Sequence, residues 1–220
     1  KNLEMLVKVY GECPALRRAA NLVLVMGSRD DVRAMPPGQK AVLTNILTLI
    51  DVYDLYGQVA YPKHHRVEDV PALYRRAART RGTFVNPALT EPFGLTLLEA
   101  AASGLPIVAT HAGGPSDIVA NCQNGVLVDP LDPDAIRKAI LHVLTEPGAW
   151  DAFSKAGVEN VHAHYSWARH VQRYLRDVRE VLAEAAAPVP VIRGRQTRRL
   201  PQLDRLILTD IDNTLTGDDG

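Results

Sequence analysis

Two glutamates eight positions apart flank a turn with the properties of a phosphate-binding site. Between Glu91 and Glu99 the chain reads PFGLTLL, and the residues from 97 to 102 strongly favour a helix. Gly94 lacks a Cβ atom, so an anion can come close to the free backbone N–H groups at the start of that helix. The two carboxylates are poor phosphate ligands but good acceptors for hydroxyl groups. A phosphate flanked by two sets of hydroxyl groups describes a nucleotide sugar.

A second acidic pair follows an apolar segment near the end of the chain. Residues 206–209 predict a strand, and Asp210 and Asp212 come directly after it. Residues two apart on an extended segment point the same way, so both carboxylates can face one site. One could attack phosphorus while the other donates a proton to the leaving alcohol, with Mg²⁺ neutralising the charge. The alternative interpretation is an ordinary Asp-rich turn.

The elements that must position these residues alternate between helix and strand. We predict strands at 21–26, 58–61, 83–86, 105–110 and 125–129, with helices between them and a helix after Asp132, an N-cap followed by proline. This alternation is typical of a Rossmann-like doubly wound parallel sheet, an α/β fold that binds ligands at the carboxyl ends of its strands. The loops 27–31, 62–66, 87–93 and 111–115 should therefore converge on one edge.

The carboxyl-terminal part of the chain predicts a long helix, a linker and the start of another domain. Apolar residues recur at helical spacing from 166 to about 184 and predict a core-facing helix: Trp167, Val171, Tyr174, Leu175, Val178, Val181 and Leu182. Residues 185–202 contain prolines and a basic run and read as a linker. The predicted domains are therefore 1–184 and 203–220, the second truncated.

Composition excludes several classes of function. The chain has 220 residues, 46% of them apolar, and a formal net charge of zero, which argues against nucleic acid or an anionic membrane as partner. We find no apolar run of membrane-spanning length. Cys13 and Cys122 form neither a disulfide framework nor a metal-binding pattern, which favours a cytoplasmic protein. The chain does not begin with Met, so we expect a fragment of a longer protein.

Three blocks of sequence together resemble a known enzyme family. EPFGLTLLEAA, with YPKHH upstream and THAGGPSDI downstream, is similar in order and spacing to the donor site of retaining glycosyltransferases with the B fold. The resemblance covers roughly residues 1–182 and is strongest to the sucrose-phosphate synthases. It implies the donor-binding half of such an enzyme, with the first strand of the sheet missing. It also implies a missing amino-terminal acceptor domain that packs on the carboxyl-terminal helices, so an exposed part of the apolar stripe is an open alternative to the core-facing helix.

The resemblance assigns roles to individual residues. Lys1 would hold the donor diphosphate, together with an Arg that would precede the chain. Glu91 would contact the 3- and 4-hydroxyls of the transferred hexose, and Glu99 would bind the ribose. His64 would lie near the uracil base, although an ordinary exposed loop histidine is an open alternative. Backbone amides would contact the sugar and phosphate, namely those of Phe93, Gly94, Leu95 and Thr96.

The implied reaction transfers glucose from UDP-glucose to fructose 6-phosphate with retention and gives sucrose 6-phosphate. No protein nucleophile is evident, so the resemblance fits a front-face displacement in which Lys1 and the helix amides stabilise the leaving diphosphate. This half should need no metal or other cofactor. We expect the chain alone to be inactive and to keep only a weak UDP site.

The second motif resembles motif I, D-x-D-x-T, of haloacid-dehalogenase phosphatases. By that resemblance Asp210 is the nucleophile, Asp212 is the general acid and a Mg²⁺ ligand, and Thr214 supplies a structural hydroxyl. The longer protein would then carry a sucrose-phosphate phosphatase domain behind the transferase. The alternatives are a sucrose synthase using free fructose, a phosphatase with a nucleotide-binding front domain, and a non-catalytic module.

Overall fold

The computed structural model describes residues 1–186, in which short parallel strands alternate with helices. The strands are β1 (Leu22–Val23), β2 (Val59–Ala60), β3 (Phe84–Asn86), β4 (Ile107–Thr110) and β5 (Gly125–Val128). The helices are α1 (Leu3–Glu12), α2 (Pro14–Ala19), α3 (Pro37–Val52), α4 (Asp69–Arg79), α5 (Leu95–Ala102), α6 (Pro115–Cys122), α7 (Pro133–Thr145), α8 (Ala149–Tyr165) and α9 (Trp167–Ala186). A 3₁₀ turn, Val32–Ala34, precedes α3.

The strands form two separate parallel sheets where we predicted one. β1 pairs with β2, and β3, β4 and β5 pair in that order. The doubly wound order 3-2-1-4-5-6 leaves two such pieces when its central strand 1 is omitted, because that strand joins the two halves. The predicted α/β class is confirmed, and the division of the sheet agrees with the expected lack of a first strand.

Helices cover both faces of the three-stranded sheet, and the side chains of its central strand β4 pack against both layers. Val108 packs into one hydrophobic cluster with residues of α1, α3 and α7, whereas Ile107 and Ala109 pack into a second cluster with residues of α5, α6 and α8. Successive side chains of a strand point to opposite faces, so the continuous apolar run of β4 serves both clusters. This buried strand and its neighbours provide a rigid base for the loops at their carboxyl ends.

The predicted element positions agree with the structure, but the strands at the β1–β2 sheet are shorter than expected. We predicted a strand at 21–26, yet only Leu22 and Val23 pair, with Val23 52% and Val25 44% exposed. A β-ladder ends where a neighbouring backbone is lacking. The start of α7 is as predicted, because the Asp132 side chain accepts hydrogen bonds from the N–H groups of Asp134 (2.9 Å) and Ala135 (3.0 Å).

Of the two interpretations of the apolar stripe on α9, the core-facing one is wrong for the described part of the chain, and the structure shows the alternative, a stripe exposed to solvent. Trp167 is 81% exposed and Tyr174 61% exposed, and among the described residues no side chain of α9 belongs to either cluster. Helical periodicity identifies an apolar face but not the surface that covers it. In the first compact unit, Lys1–Asp177, the apolar face of the helix is open to solvent.

The predicted Mg²⁺ and phosphatase residues Asp210, Asp212 and Thr214 lie outside the described residues, as does the predicted linker. The proposed boundary at residue 184 therefore stays a prediction. Within residues 1–186, no helix is both long and apolar enough to cross a membrane.

Candidate functional site

The amino-terminal end of α5 has the geometry that the glycine turn predicts. Gly94 adopts a φ of 97°, and a Cβ atom there would lie 2.8 Å from Cδ1 of Leu97. A side chain at this position would therefore be both strained and crowded. The carbonyl of Gly94 accepts hydrogen bonds from Leu97 and Leu98, so the amides of Leu95 and Thr96 precede the first helical bonds. These two amides are well placed to bind an anion.

Two side chains hold the carboxylate of Glu91. Lys1 Nζ lies 2.5 Å from Oε2 of Glu91, and Nδ2 of Asn86 donates a hydrogen bond to the same oxygen at 3.0 Å. The Lys1 hydrogen bond lowers the pKa of Glu91 below its ordinary value. Burial opposes that shift, and the Asn86 amide, the Lys1 charge and the Gly94 N–H group reinforce it. Glu91 is thus a buried but ionised carboxylate at the entrance to α5.

The loop after β4 fixes the backbone of Glu91. Glu91 N–H donates to the carbonyl of Ala112, and Gly114 N–H donates to the carbonyl of Glu91, each at 3.0 Å. Gly113 has a φ of 103°, and a Cβ atom there would overlap the carbonyl oxygen of Glu91. A Cβ atom at Gly114 would likewise overlap the carbonyl of Phe93. Two glycines therefore allow two loops to lie backbone against backbone.

Glu99 is exposed on α5 and faces a tyrosine from α4. The pKa of Tyr74 is raised to about 12, mainly by burial. The charge of Glu99 and a hydrogen bond between Tyr74 and Glu99 contribute the rest of the shift. The Tyr74 ring also packs edge-on against Phe84, with 5.6 Å between ring centroids. The side chain of Tyr74 is therefore held in place, with its hydroxyl group directed at the Glu99 carboxylate.

His64 lies in a different pair of loops. Arg29 N–H donates to the carbonyl of Lys63 at 3.0 Å, which joins the loop after β1 to the loop after β2. Nε2 of His64 is 3.9 Å from Oδ1 of Asp30, and His64 also lines a cavity of about 360 Å³ with Asp69 and Leu73. The loops predicted to converge do so in two pairs, 27–31 with 62–66 and 87–93 with 111–115.

The structure thus brings Lys1 and Glu91 to the turn formed by Phe93, Gly94, Leu95 and Thr96, with Glu99 one turn into the helix. Sequence reasoning missed Asn86 and Tyr74. Asn86 had a usable signal, because it is a polar residue at the carboxyl end of an apolar strand. Within residues 1–186, no cluster of three or more His, Cys, Asp or Glu side chains could hold a metal ion.

Comparisons with known proteins identify the family and the fold. The family model described as glycosyl transferases group 1 matches residues 1–160. The chain is 56% identical over 178 residues to sucrose-phosphate synthase 4 of Arabidopsis thaliana, a match that covers 81% of this chain and 17% of the relative. The chain therefore spans about a sixth of the length of that relative.

Solved structures share the fold. Sucrose-phosphate synthase from Thermosynechococcus elongatus superposes with a TM-score of 0.66 and 30% identity, covering 84% of this chain and 43% of that chain. The Anabaena protein HepE, solved in complex with UDP and glucose, superposes with a TM-score of 0.62 and 20% identity, covering 82% of this chain and 44% of that chain.

Proposed function

Because this chain belongs to the glycosyl transferases group 1 family, we propose that it is the donor-binding domain of a sucrose-phosphate synthase. The observation that carries the proposal is the carboxylate of Glu91, held at the start of α5 by Lys1 and Asn86 beside the free amides of Leu95 and Thr96. The identity of more than half of the aligned residues to a sucrose-phosphate synthase supports the substrates. The full-length enzyme would transfer glucose from UDP-glucose to fructose 6-phosphate with retention.

Each site residue then has a defined role. The amides of Leu95 and Thr96 and the ammonium of Lys1 stabilise the negative charge that develops on the leaving diphosphate. Glu91 accepts hydrogen bonds from hydroxyl groups of the hexose, and Glu99 accepts them from the ribose. His64 contacts the base. The Lys1 ammonium is paired with Glu91 in this structure. To bind the diphosphate, it must either contact both groups at once or leave Glu91 for the diphosphate. No metal ion takes part in this scheme.

The acceptor is bound by a second, amino-terminal domain. The exposed apolar face of α9 supports this part of the proposal, because a solvent-facing Trp and Tyr on one helix mark an interaction surface. The acceptor domain would cover that face and bring fructose 6-phosphate to the hexose. The alternative is a sucrose synthase with free fructose as acceptor; the similarity of this chain to sucrose-phosphate synthases favours fructose 6-phosphate. A cytoplasmic location and a phosphatase domain beginning near residue 203 stay predictions.

The test is a transferase assay on the full-length enzyme with UDP-glucose and either fructose 6-phosphate or fructose. We expect sucrose 6-phosphate from the first pair and little product from the second. Glu91→Gln should lower kcat by about 10- to 100-fold, because a displaced hexose loses its reactive geometry. The affinity for UDP should change little, since UDP lacks the hexose. Turnover with fructose alone at an equal rate would overturn the assignment of the acceptor.

A further inference from the structure

Asn86 is a buried polar residue at the carboxyl end of β3. It is 6% exposed, and its backbone pairs with Ala109 of β4, the strand that is buried on both faces. A polar side chain in such a place needs hydrogen-bond partners, because leaving a buried amide unpaired is costly. Asn86 finds its partners in the loop that immediately follows β3.

The orientation of the Asn86 amide follows from its two hydrogen bonds. Oδ1 accepts a hydrogen bond from the N–H group of Ala88 at 3.3 Å, so the oxygen side of the amide faces the backbone. Nδ2 therefore points the other way and donates to Oε2 of Glu91 at 3.0 Å. One side chain thus joins the end of a rigid strand to the carboxylate on the loop.

We propose that Asn86 is a positioning residue that holds the Glu91 carboxylate in the orientation required to bind the transferred hexose. This inference rests on the proposed role of Glu91. Asn86 acts through the glutamate, because its two side-chain hydrogen bonds are made within the protein, to Glu91 and with Ala88. It also supplies a neutral N–H donor, which fixes the carboxylate and leaves its charge in place.

Lys1 cannot replace Asn86 in this role. Both side chains contact Oε2, but the Lys1 side chain is 65% exposed and has four rotatable bonds between its backbone and its ammonium group. A long exposed side chain fixes its partner poorly, since holding it in one rotamer costs entropy. Asn86 is short, buried and attached to a strand. Both side-chain bonds go to Oε2. The Gly94 N–H group also bonds the carboxylate, but each carboxylate oxygen has two lone pairs, so Oε1 can still accept a hydroxyl group of the sugar.

The first experiment compares Asn86→Leu with the wild type in the full-length enzyme. Leucine has a similar volume but no donor, so we expect kcat to fall by about 10- to 100-fold with UDP affinity changed less than about twofold. The matched control is Asn160→Ala, which removes an amide that donates to the carbonyl of Cys122 on α6. A value of kcat for Asn86→Leu close to that of the control would overturn the inference.

A second variant gives a signature that a purely structural role would not produce. Asn86→Asp places a carboxylate beside Glu91, and two such groups share one proton at low pH. With that proton present, Asp at position 86 can donate to Oε2 as the amide does. As the pH rises and the proton is lost, the two charges repel. In the described residues, the charged group that acts on Glu91 is the Lys1 ammonium, which is present at every pH of the comparison and attracts both carboxylates.

We therefore expect Asn86→Asp to recover activity on acidification, whereas Asn86→Leu stays impaired at every pH. A pH profile of Asn86→Asp with the shape of the wild-type profile would overturn the inference even if the leucine variant fails to fold. Glu91→Gln separates this inference from the proposed function. A normal kcat for Glu91→Gln would contradict the role of Glu91, whereas loss of kcat in that variant alone would contradict only the role of Asn86.

Discussion

Glu91 and Glu99 illustrate how one residue type serves two purposes at the same turn. Glu91 is buried, with its carboxylate held by Lys1 and Asn86. Glu99 is exposed on α5 beside the Tyr74 hydroxyl. A fixed, buried carboxylate is suited to holding a reacting sugar, because the orientation of the sugar decides the reaction rate. An exposed one suits a group that only has to bind, which is the ribose role proposed for Glu99.

Replacing Glu99 should weaken nucleotide binding. A hydrogen bond to a charged group contributes roughly 1.5–3 kcal/mol, so Glu99→Ala should reduce the affinity for UDP by about 10- to 150-fold. Calorimetry with UDP measures this change in the full-length enzyme. Glu159→Ala, an exposed glutamate on α8, is the matched control and should bind UDP as the wild type does. Equal affinities for the two variants would contradict the ribose assignment.

The depressed pKa of Glu91 predicts a pH dependence of stability. A carboxyl group whose folded pKa lies below its unfolded value, about 4.3 for Glu, stabilises the fold above that value. That stabilisation is lost as the pH falls through the folded pKa. The difference in free energy of unfolding between the wild type and Glu91→Gln should therefore shrink between about pH 5 and pH 3 in urea titrations.

Lys1→Met should reduce this pH dependence, since the Lys1 hydrogen bond is the largest cause of the pKa shift. Added salt should have a smaller effect in the same direction, because the Lys1 side chain is largely exposed and its charge is screened. A pH dependence that is unchanged in Lys1→Met would show that the ion pair is unimportant for stability.

At the scale of elements, two loops approach so closely that only glycine fits between them. The carbonyl of Glu91 accepts from Gly114, and Gly113 lies against the same carbonyl with a φ of 103°. The loops after β3 and β4 thus form one unit at the carboxyl edge of the sheet, joined by a bridge between Glu91 and Gly113. Whatever disturbs this contact should move Glu91 and the start of α5 together.

Comparing Gly113→Ala with Gly27→Ala distinguishes the cost of backbone strain from the cost of steric overlap between a Cβ atom and a neighbouring loop. Both glycines have positive φ angles, 103° and 83°, so each alanine variant should lose roughly 1–3 kcal/mol from strain. A Cβ atom at Gly27 meets nothing within 4 Å, whereas one at Gly113 overlaps the carbonyl of Glu91. Urea unfolding should therefore show a clearly larger loss for Gly113→Ala. Equal losses would mean that the loop can move away at little cost.

At the scale of the whole molecule, the chain exposes a helix face that a second domain is proposed to cover. Trp167, Tyr174 and Leu175 on α9 are 81%, 61% and 45% exposed. Single exposed apolar residues are common, but several on one helix face form a patch. The exposed Val23 and Val25 near β1 form a second open apolar region, where the sheet is divided.

Leu175→Ser should have different effects in this chain alone and in the full-length enzyme. In the chain alone, this exposed residue should change the free energy of unfolding by no more than about 0.5 kcal/mol. In the full-length enzyme it should lower both stability and activity, because the leucine would then be buried. Ile140→Ala in α7, which is 6% exposed, is the control and should cost about 2–5 kcal/mol in both contexts. No difference between contexts for Leu175→Ser would contradict the docking role of α9.

The sequence by itself determined the order of helices and strands, the Asp132 cap of α7 and the glycine turn before α5. These features depend on neighbours a few positions apart, so local spacing and backbone preference are enough to predict them. The family relationship was also readable, because the blocks that carry it are contiguous. The lengths of β1 and β2 could not be predicted from the sequence, since a strand extends only as far as a partner strand pairs with it.

The tertiary structure decided which groups surround Glu91. Lys1 is 90 positions away, and Gly113 lies in the loop that follows the neighbouring strand β4. No periodicity in the sequence therefore connects them to the glutamate. Asn86 is only five positions away, but its role depends on the direction of its amide at the end of a paired strand. The exposure of α9 was decided in the same way. A helical repeat specifies which side of a helix is apolar, whereas the surface that covers it is a property of the assembled chain.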